Sequence, residues 1–391
     1  MRVASGPFAR LARKVQPPGP RWGSPLRSER NAAWLGIGLG VAFGICFLTG
    51  LLSHLIQHPP GWFSWPARPA GTYRVTQGLH VATGIAAIPL LLVKLWTVYP
   101  KLWRFPPFDD AVDALERLSL FPLVSGAIFL LVSGTQNIFH WYPWRFFFPV
   151  DHYWAAWITI GALVVHVGAK ATQVRRALSA GHADARDQGV AAPAGVSRRA
   201  VLRLAFGGAG LLTLVTAGET FGPLRHLDLL APRRPDIGPQ GLPVNRSAEE
   251  AGVMAAATDP AYRLVVEGAA AGRLELSLSD LRRLELHSAV LPIACVEGWS
   301  GQAVWRGVRV RDVLKLAGRP GGRVVVQSLE QSGIYTSSEL SPAQAQDPDT
   351  LLAVEVNGGP LHIQHGYPVR LIGPNRPGVQ QTKWVGKLML S

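Results

Sequence analysis

The sequence predicts a protein in two parts: an α-helical transmembrane bundle of four helices plus a fifth anchor or signal helix, followed by an α+β, β-rich domain. Three observations lead to this fold class. Hydrophobic residues make up 48% of the 391 residues and charged residues only 16%. In the first half of the chain the apolar residues are gathered in long runs, as in membrane proteins. Towards the C-terminus they change to short β-like runs separated by Gly-rich turns.

Four apolar runs predict the helices of the bundle. Each is close to the roughly 20 residues that cross the hydrocarbon of a bilayer. The runs are Ala32–Leu55, Val75–Tyr99, Leu118–Phe139 and Tyr153–Thr172. They place a four-helix transmembrane domain over 32–176, after a basic cytoplasmic tail over 1–31.

The positive charge sets the orientation of these helices. A net charge of +14 is compatible with nucleic-acid binding, but much of it lies in the N-terminal tail and in the segment 170–203, which flank apolar spans. That distribution is the positive-inside pattern of a multi-pass protein in a bacterial cytoplasmic membrane, so we expect no nucleic-acid partner. The loops 56–74 and 140–152 hold many aromatic residues and few basic ones, as expected on the outer side.

The stretch 197–221 predicts a fifth helix that carries the C-terminus outward. It follows a cytoplasmic linker over 177–196 and begins "SRRAVLRLAFGGAG", which resembles a twin-arginine export signal. A plain anchor helix with basic flanking residues is the alternative. The twin-arginine interpretation implies that export machinery for folded proteins moves the last domain. A Pro/Arg linker over 222–250 then leads to an extracytoplasmic domain over 251–391.

Cys295 is one of only two cysteines, and the other, Cys46, lies inside the first span. The two thiols cannot meet across the membrane interface, so Cys295 is predicted to be a free thiol. A buried small hydrophobe, a nucleophile and a metal thiolate all remain possible interpretations, and position alone favours the first.

The sequence around Cys295 resembles the molybdopterin-binding domain of the sulfite-oxidase family. The resemblance is carried by "CVEGWS", by "WRGVRVRDVLKLAG" and by "EVNGGPLHIQHGYPVRLIGPNRPGVQQTKWVGKL", and it spans nearly all of 260–391. It implies a molybdopterin cofactor whose molybdenum is bound by the Cys295 thiolate, while the pterin dithiolene supplies the other sulfur ligands. A soft anionic ligand of this kind suits molybdenum.

The resemblance also implies the other residues of the site. His365, Arg370 and Lys383 fall on pterin-binding positions, where Arg and Lys suit a phosphate. Tyr335 and Ser337 lie where the family lines the molybdenum pocket, and Arg306 is a candidate catalytic arginine. Asn357 is expected to make the turn near the start of "EVNGGPLHIQHGYPVR" and is grouped with the cofactor-binding residues.

Four histidines in the predicted spans are candidate haem ligands, because ionisable groups inside a membrane are costly and usually functional. They are His54, His80, His152 and His166. The last two are 14 residues apart, so they share a helix face about 21 Å apart. The segment resembles cytochrome b561 and formate-dehydrogenase-type cytochrome b subunits, which implies one or two haem b groups. The expected pairs are His80 with His166 and His54 with His152.

Together these features predict a membrane-bound molybdenum oxidoreductase. It couples membrane quinone or quinol, through haem b in the lipid bilayer, to oxo transfer on a small extracytoplasmic substrate. Reduction of an S- or N-oxide such as a sulfoxide is the expected reaction. The alternatives are a sulfite dehydrogenase that passes electrons to quinone and a cofactor-free, membrane-anchored binding module.

Overall fold

A computed structural model describes residues 26–102, 111–144, 146–179, 197–217, 224, 226–231 and 237–391. Five long helices occupy the N-terminal part of these ranges: α1 Glu29–Gln57, α2 Thr72–Leu102, α3 Ala111–Phe139, α4 Phe148–Ser179 and α5 Arg198–Ala217. The greater part of the basic tail and of the 177–196 linker lies outside the described residues. The predicted helical region followed by a β-rich domain is confirmed.

Each of the five helices holds a stretch that is long and apolar enough to cross a membrane. Each of the four predicted bundle spans lies inside one of them, and these helices extend beyond the apolar runs. The first predicted span, Ala32–Leu55, for example, lies within Glu29–Gln57. The fifth helix, predicted over 197–221, covers Arg198–Ala217 among the described residues. The helices are therefore candidate transmembrane spans, while their membrane insertion remains a prediction.

The chain divides into two compact units, and the division differs from the predicted one. Unit 1 comprises Met1–Leu48 and Ala82–Thr213, and unit 2 comprises Thr49–Val81 and Leu214–Ser391. The end of α1, the loop after it and the start of α2 therefore belong with the C-terminal domain. We call residues 49–81 the 49–81 hairpin.

In unit 1 an apolar cluster joins α5 to the first three helices. Leu35 of α1, Leu90 of α2, Ala127 of α3 and Ala205 of α5 are all buried in it. The fourth helix approaches the third at Gly126, where a Cβ atom would lie 2.2 Å from the hydroxyl of Thr159. Small residues at such crossings let helix backbones come close.

The C-terminal domain contains four short helices and ten strands. The helices are α6 Met254–Thr258, α7 Leu278–Arg283, α8 Val310–Leu316 and α9 Pro342–Gln346. The strands are β1 Arg263–Ala269, β2 Gly272–Ser277, β3 His287–Ala294, β4 Ser300–Arg309, β5 Val324–Ser328, β6 Ser337–Leu340, β7 Leu351–Val356, β8 Gly359–Pro360, β9 Arg370–Ile372 and β10 Val385–Leu390.

The strands form two five-stranded sheets. The first has the order β2-β1-β10-β5-β6, and the second has β3-β4-β7-β8 with β9 paired to β7. The pair β1 and β10 is parallel, and every other strand pair is antiparallel. Side chains alternate along β7, so that Val354 joins the core shared with the first sheet while Ala353 joins the core on the other face.

Part of the predicted 222–250 linker is folded into the domain. Leu242 is buried in one apolar core of the domain and Ala248 in another. We call residues 238–248 the strap. The strap supplies several contacts to the site. Its Pro and polar residues form no helix or strand pattern, so the sequence did not predict that it is folded.

Candidate active site

Cys295 lies in a tight turn between β3 and β4, and the whole of β3 pairs with β4. We call residues 295–299 the Cys295 loop. The amide of Cys295 donates to the carbonyl of Trp299 (2.9 Å), and the amide of Gly298 donates to the carbonyl of Cys295 (3.1 Å). Gly298 has φ +96°, a conformation that strongly favours glycine. The thiol is 2% exposed, so the turn presents it from the strand end into the interior.

Two segments distant in sequence approach the thiol. In the strap, the Asn245 side-chain amide donates to the Cys295 sulfur at 3.9 Å. From the other side, Gly378 is so close that a Cβ atom there would lie 3.1 Å from the Ala294 carbonyl and 3.5 Å from Cys295 Cα. We call residues 373–381 the anchor segment. The thiol is thus held between the strap and the anchor segment.

Two cations, buried Arg370 and half-buried Lys383, lie in the same region. Arg370 is 3% exposed, donates to the His365 carbonyl at 3.1 Å and has its guanidinium carbon 5.3 Å from the Trp305 ring centroid. Burial lowers its pKa to about 10, an effect partly offset by the negative charge of the Cys295 thiolate. A negative charge on the Cys295 sulfur would therefore stabilise the charged form of the guanidinium.

Lys383 donates from Nζ to the carbonyls of Arg246 and Gln364, each at 2.9 Å. Burial lowers its pKa to about 7, with a further decrease from Arg370, while the charges of Cys295 and Glu297 act in the opposite direction. An anion bound beside Lys383 would restore its charged form.

His365 is buried and held by the strap. Its Nε2 lies 2.6 Å from the Pro239 carbonyl, and because a carbonyl only accepts, Nε2 carries the proton. Burial lowers the His365 pKa to about 4. The hydrogen bond to Pro239 opposes this shift, and the charges of Arg370 and Lys383 add to it. The imidazole is therefore neutral at pH 7.

Glu297 and Tyr335 supply the polar groups on the remaining side. Glu297 is 7% exposed and accepts from the Trp299 indole at 3.2 Å. Tyr335 is 41% exposed, and its pKa is raised by burial and by the charges of Cys295 and Glu297. Its phenol is therefore protonated and available as a hydrogen-bond donor near the thiol.

Three predicted site residues lie elsewhere. Arg306 is exposed, pairs with Glu355 at 3.0 Å and sits opposite Ser288, six residues along β3 from Ala294. At about 3.3 Å per residue that is about 20 Å from the Cys295 end of the strand pair. We therefore remove Arg306 from the candidate site.

The other two are Asn357 and Ser337. Asn357 has φ +48° in the turn between β7 and β8 and donates to the Gln240 carbonyl, so it is a turn residue that also secures the strap. Ser337 is exposed on β6, whereas the next residue, Ser338, is buried and contacts the Thr382 hydroxyl at 2.8 Å. Alternation along the strand makes Ser338 the inward-facing residue.

A family model for the oxidoreductase molybdopterin binding domain matches residues 251–391. Residues 251–391 are a molybdopterin-binding domain of the sulfite-oxidase family. Mitochondrial sulfite oxidases of Rattus norvegicus and Homo sapiens are 34% and 33% identical to this chain over 155 residues. Each match covers 32% of this chain and 28% of the relative. Nitrate reductase [NAD(P)H] of Hordeum vulgare is 37% identical over 98 residues, covering 22% of this chain and 11% of that protein.

Among solved structures, the sulfane dehydrogenase SoxCD from Paracoccus pantotrophus is similar to 40% of this chain. The match covers 43% of the SoxCD chain, at 22% sequence identity and a TM-score of 0.32. The molybdopterin-binding domain accounts for the C-terminal part of the chain, and no family match described above reaches the helices.

The residues of the molybdopterin-binding domain fit its cofactor. Arg370 is buried and Lys383 is half-buried, and both donate only to backbone carbonyls in their hydrogen bonds described above. The Arg370 Nε atom is buried without a hydrogen-bond partner among the described residues. Buried cations of this kind require an anionic partner, which the pterin phosphate would provide. Cys295 would supply the protein sulfur ligand.

Two of the four candidate haem ligands are oriented by hydroxyl groups. His80 Nδ1 lies 3.3 Å from the Thr49 hydroxyl, and His152 Nδ1 lies 2.9 Å from the Ser133 hydroxyl. A hydrogen bond at one ring nitrogen commonly orients a metal-binding histidine through the other nitrogen. Both contacts are therefore compatible with iron ligation at Nε2.

The other two histidines have different surroundings. The His54 ring lies 5.0 Å from that of His58, and His166 has a buried Nδ1 without a hydrogen-bond partner in the described ranges. His54 and His80 belong to unit 2, whereas His152 and His166 belong to unit 1. The pairs His80–His166 and His54–His152 stay predictions.

Proposed function

We propose that this protein is a membrane-bound molybdenum oxidoreductase that exchanges electrons with quinone or quinol through haem b and transfers an oxo group to or from a small substrate. One observation carries the proposal. Cys295 is buried beside Arg370 and Lys383 in a molybdopterin-binding domain of the sulfite-oxidase family. The cofactor, when bound, supplies the two-electron oxo chemistry.

The chain's own residues have distinct parts in this chemistry. Cys295 provides a thiolate shielded from water by the strap and the anchor segment. Arg370 and Lys383 would hold the anionic cofactor, and neutral His365 fixes the strap through Pro239. Tyr335 keeps its proton and can donate a hydrogen bond to a substrate oxygen. The thiol end of the β3–β4 pair therefore offers one ligand and one donor.

The charged groups near the thiol support the proposal that the substrate is uncharged. Glu297 is buried two residues after Cys295, and its carboxylate would repel an anion such as sulfite. Arg306, the arginine that the sequence offered for anion binding, lies at the far end of the strand pair. We propose that the reaction is reduction of a neutral S- or N-oxide such as a sulfoxide.

The 49–81 hairpin supports the proposed topology. The indole of Trp65 donates to the Asn375 carbonyl at 2.9 Å, and the Asn375 amide donates to the Pro66 carbonyl at 2.7 Å. A loop that docks on a domain in this way must lie on the same side of a membrane. The aromatic loop after α1 was assigned to the outer side, so we place the domain in the extracytoplasmic space.

The proposed function is tested by measuring the metal content and the substrate turnover of the purified full chain. We expect molybdenum and haem b near stoichiometric amounts, together with oxidation of reduced viologen by sulfoxides or N-oxides. Sulfite with a dye acceptor, assayed in parallel, should give no turnover. Absence of molybdenum from protein made under molybdenum-replete conditions would favour the cofactor-free binding module instead.

A sulfite dehydrogenase is the second candidate, because the rat and human relatives are named sulfite oxidases. Arg370 and Lys383 add positive electrostatic potential to the site. If the bound cofactor neutralised only one of these two charges, the other would attract sulfite. Reduction of the dye by sulfite, with no viologen oxidation by the oxides, would establish this second reaction and reverse the direction of electron flow.

The proposed localisation is tested by reporter fusions and by the paired arginines. A reporter active only outside the cytoplasm should work after Ser391 and fail within 179–196, and the opposite result contradicts the topology. If the twin-arginine interpretation is right, replacing Arg198 and Arg199 with Lys should block export. A plain anchor helix would tolerate both replacements, since the charge is unchanged.

A further inference from the structure

The 49–81 hairpin touches the Cys295 loop directly. Gln77, 7% exposed in the second turn of α2, donates from its side-chain amide to the Val296 carbonyl at 3.3 Å. One turn further, the methyl groups of Val81 lie 3.1–3.2 Å from the position that a Cβ atom on Gly298 would take. Two residues on one face of α2 therefore contact two of the five residues of the loop.

The residue before the loop is also packed against the hairpin. Tyr73 and Ile56 share an apolar cluster with Ala294, the last residue of β3. The Tyr73 hydroxyl lies 3.1 Å from the Ser53 hydroxyl of α1, so both helices of the hairpin are joined at this point. The strand end that presents Cys295 thus rests on the hairpin.

A third connection runs through the anchor segment. Asn375 bonds the hairpin with four groups: its amide N–H to the Ala70 carbonyl, its side-chain N–H to Pro66, its side-chain oxygen to the Tyr73 amide and its carbonyl to the Trp65 indole. The same segment places Gly378 against Cys295 Cα. The hairpin therefore reaches the thiol from two directions.

We propose that Gln77 is a positioning residue for Cys295, which makes α2 part of the molybdenum site. Its amide donates to the carbonyl of the residue next to Cys295, and loss of that donor would remove one hydrogen bond that holds the Cys295 loop in place. Pre-organisation of a metal ligand depends on partners of this kind, which fix the direction of the ligand atom. The inference rests on the proposed function in taking Cys295 as the ligand.

The position of Gln77 also relates the two proposed redox sites. His80 lies between Gln77 and Val81 on the same stretch of α2, and its ring faces α1, where a Cβ on Gly50 would lie 3.0 Å from it. The Cys295 loop and the predicted haem ligand are thus supported by one helical segment. A shift of α2 at His80 would be felt at the molybdenum ligand.

The test compares Gln77→Met with Arg68→Ala in the full-chain holoenzyme. Methionine conserves the length of glutamine but cannot donate. Arg68 lies in the same hairpin and pairs with Asp347 and Asp349, away from the thiol, so its variant is the matched control. Val81→Ala is the second variant in case Gln77→Met does not fold.

We expect the amides of Cys295 and Gly298 to exchange with deuterium roughly fivefold faster in Gln77→Met, as for loss of one net hydrogen bond. The Mo(V) resonance should shift at unchanged molybdenum content, with kcat reduced more than KM. Val81→Ala should also speed the amide exchange and shift the Mo(V) resonance. Arg68→Ala should leave the exchange rates and the resonance unchanged.

Wild-type exchange and resonance in Gln77→Met would overturn the inference, and so would equal changes in Arg68→Ala, because these would indicate general loosening of the hairpin. A wild-type protein without molybdenum would instead refute the proposed function. In that case the amide exchange rates of the Cys295 loop would still show whether Gln77 holds the loop in place.

Discussion

The molybdopterin-binding domain and the helical unit 1 differ in the kind of polar side chain that they bury. The domain buries charges, and Arg370, Lys383 and Glu297 gather around one thiol. In unit 1 the buried polar residues among those described are all uncharged: Asn31, Thr97, Ser133, Gln136, Asn137 and Thr159. One region concentrates charge at a site, and the other avoids burying it.

Hydrogen bonding explains much of this difference. The hydroxyls of Thr97, Ser133 and Thr159 donate to carbonyls of their own helix, three or four residues back. Such bonds make a polar side chain acceptable in an apolar medium without a distant partner. A buried charge needs more, and the domain provides an ionic cofactor site for it. A charged cluster therefore identifies chemistry in the domain, whereas only histidines can do so in the helices.

The surfaces of the two regions differ as well. Helix α4 buries only Thr159 and Ala162 and exposes large apolar side chains, including Trp154, Ile158 and Val164. An amphipathic helix of a water-soluble protein would hide such a face. Lipid is the environment that suits this surface, and this supports the proposed membrane location of the helical unit.

The largest expected effect is that of removing the thiol at the centre of the charged cluster. Cys295→Ala should reduce turnover more than about a thousandfold, the scale on which catalytic groups act. The haem absorption spectrum should be unchanged, because Cys295 is not among the candidate haem ligands. Substrate turnover and the visible spectrum measure the two effects. Near-normal turnover would remove Cys295 as the metal ligand.

The second-largest expected effect is that of replacing the candidate haem ligands, which tests whether these histidines bind haem. His80→Ala and His166→Ala should lose haem or its low-spin spectrum, since a haem iron requires its axial ligands. Activity with a soluble artificial electron carrier should remain, while activity with quinol or quinone should disappear. If both variants keep quinone-linked turnover and the wild-type spectrum, the histidines are packing residues and the proposed electron route is wrong.

Sequence patterns predicted the features that depend on local chemistry. The apolar runs located the helices. The resemblance of the C-terminal stretch to the sulfite-oxidase family grouped His365, Arg370 and Lys383 with Cys295, and their role in one cofactor site stays a prediction. Asn245 was missed because it lies in a Pro- and Arg-rich stretch with no periodic pattern. Glu297 was inside the quoted motif, but only its burial beside the thiol shows its significance.

The remaining differences come from long-range geometry. Asn375 and Trp65 are bonded although they are about 310 positions apart in the chain, and no local pattern encodes such a contact. Arg306 illustrates a second limit. It follows Cys295 closely in sequence, but the β3–β4 pairing carries it to the far end of the strands, because distance along a hairpin grows with every residue.

A smaller effect concerns pH, and it depends on the burial of His365 in its neutral form. Its pKa is about 4 in the folded protein, below the usual 6.5, so its contribution to stability is present above pH 6.5 and is lost as the pH falls towards 4. The loss is on the order of 3 kcal/mol. His365→Gln keeps a donor for Pro239 but cannot titrate.

The melting temperature of the full chain should therefore fall more steeply in the wild type than in His365→Gln between pH 7 and pH 4. Other acidic groups titrate equally in both proteins, so the difference between the two curves isolates His365. Parallel curves would mean that His365 is charged or solvated in the folded protein and that the strap does not bury it.

The smallest expected effect is that of the second cysteine. Cys46 lies in the apolar part of α1, where its sulfur is 3.1 Å from the Thr83 hydroxyl, a contact that the sequence did not predict. A thiol is a weak hydrogen-bond partner, so Cys46→Ala should cost less than about 1 kcal/mol and leave turnover and the haem spectrum unchanged. A tenfold loss of activity would show that the helical unit, like the domain, uses a thiol in its chemistry. Combined with an inactive Cys295→Ala, wild-type turnover in Cys46→Ala would instead show that only the cysteine at the end of β3, beside the buried cations, is required for turnover.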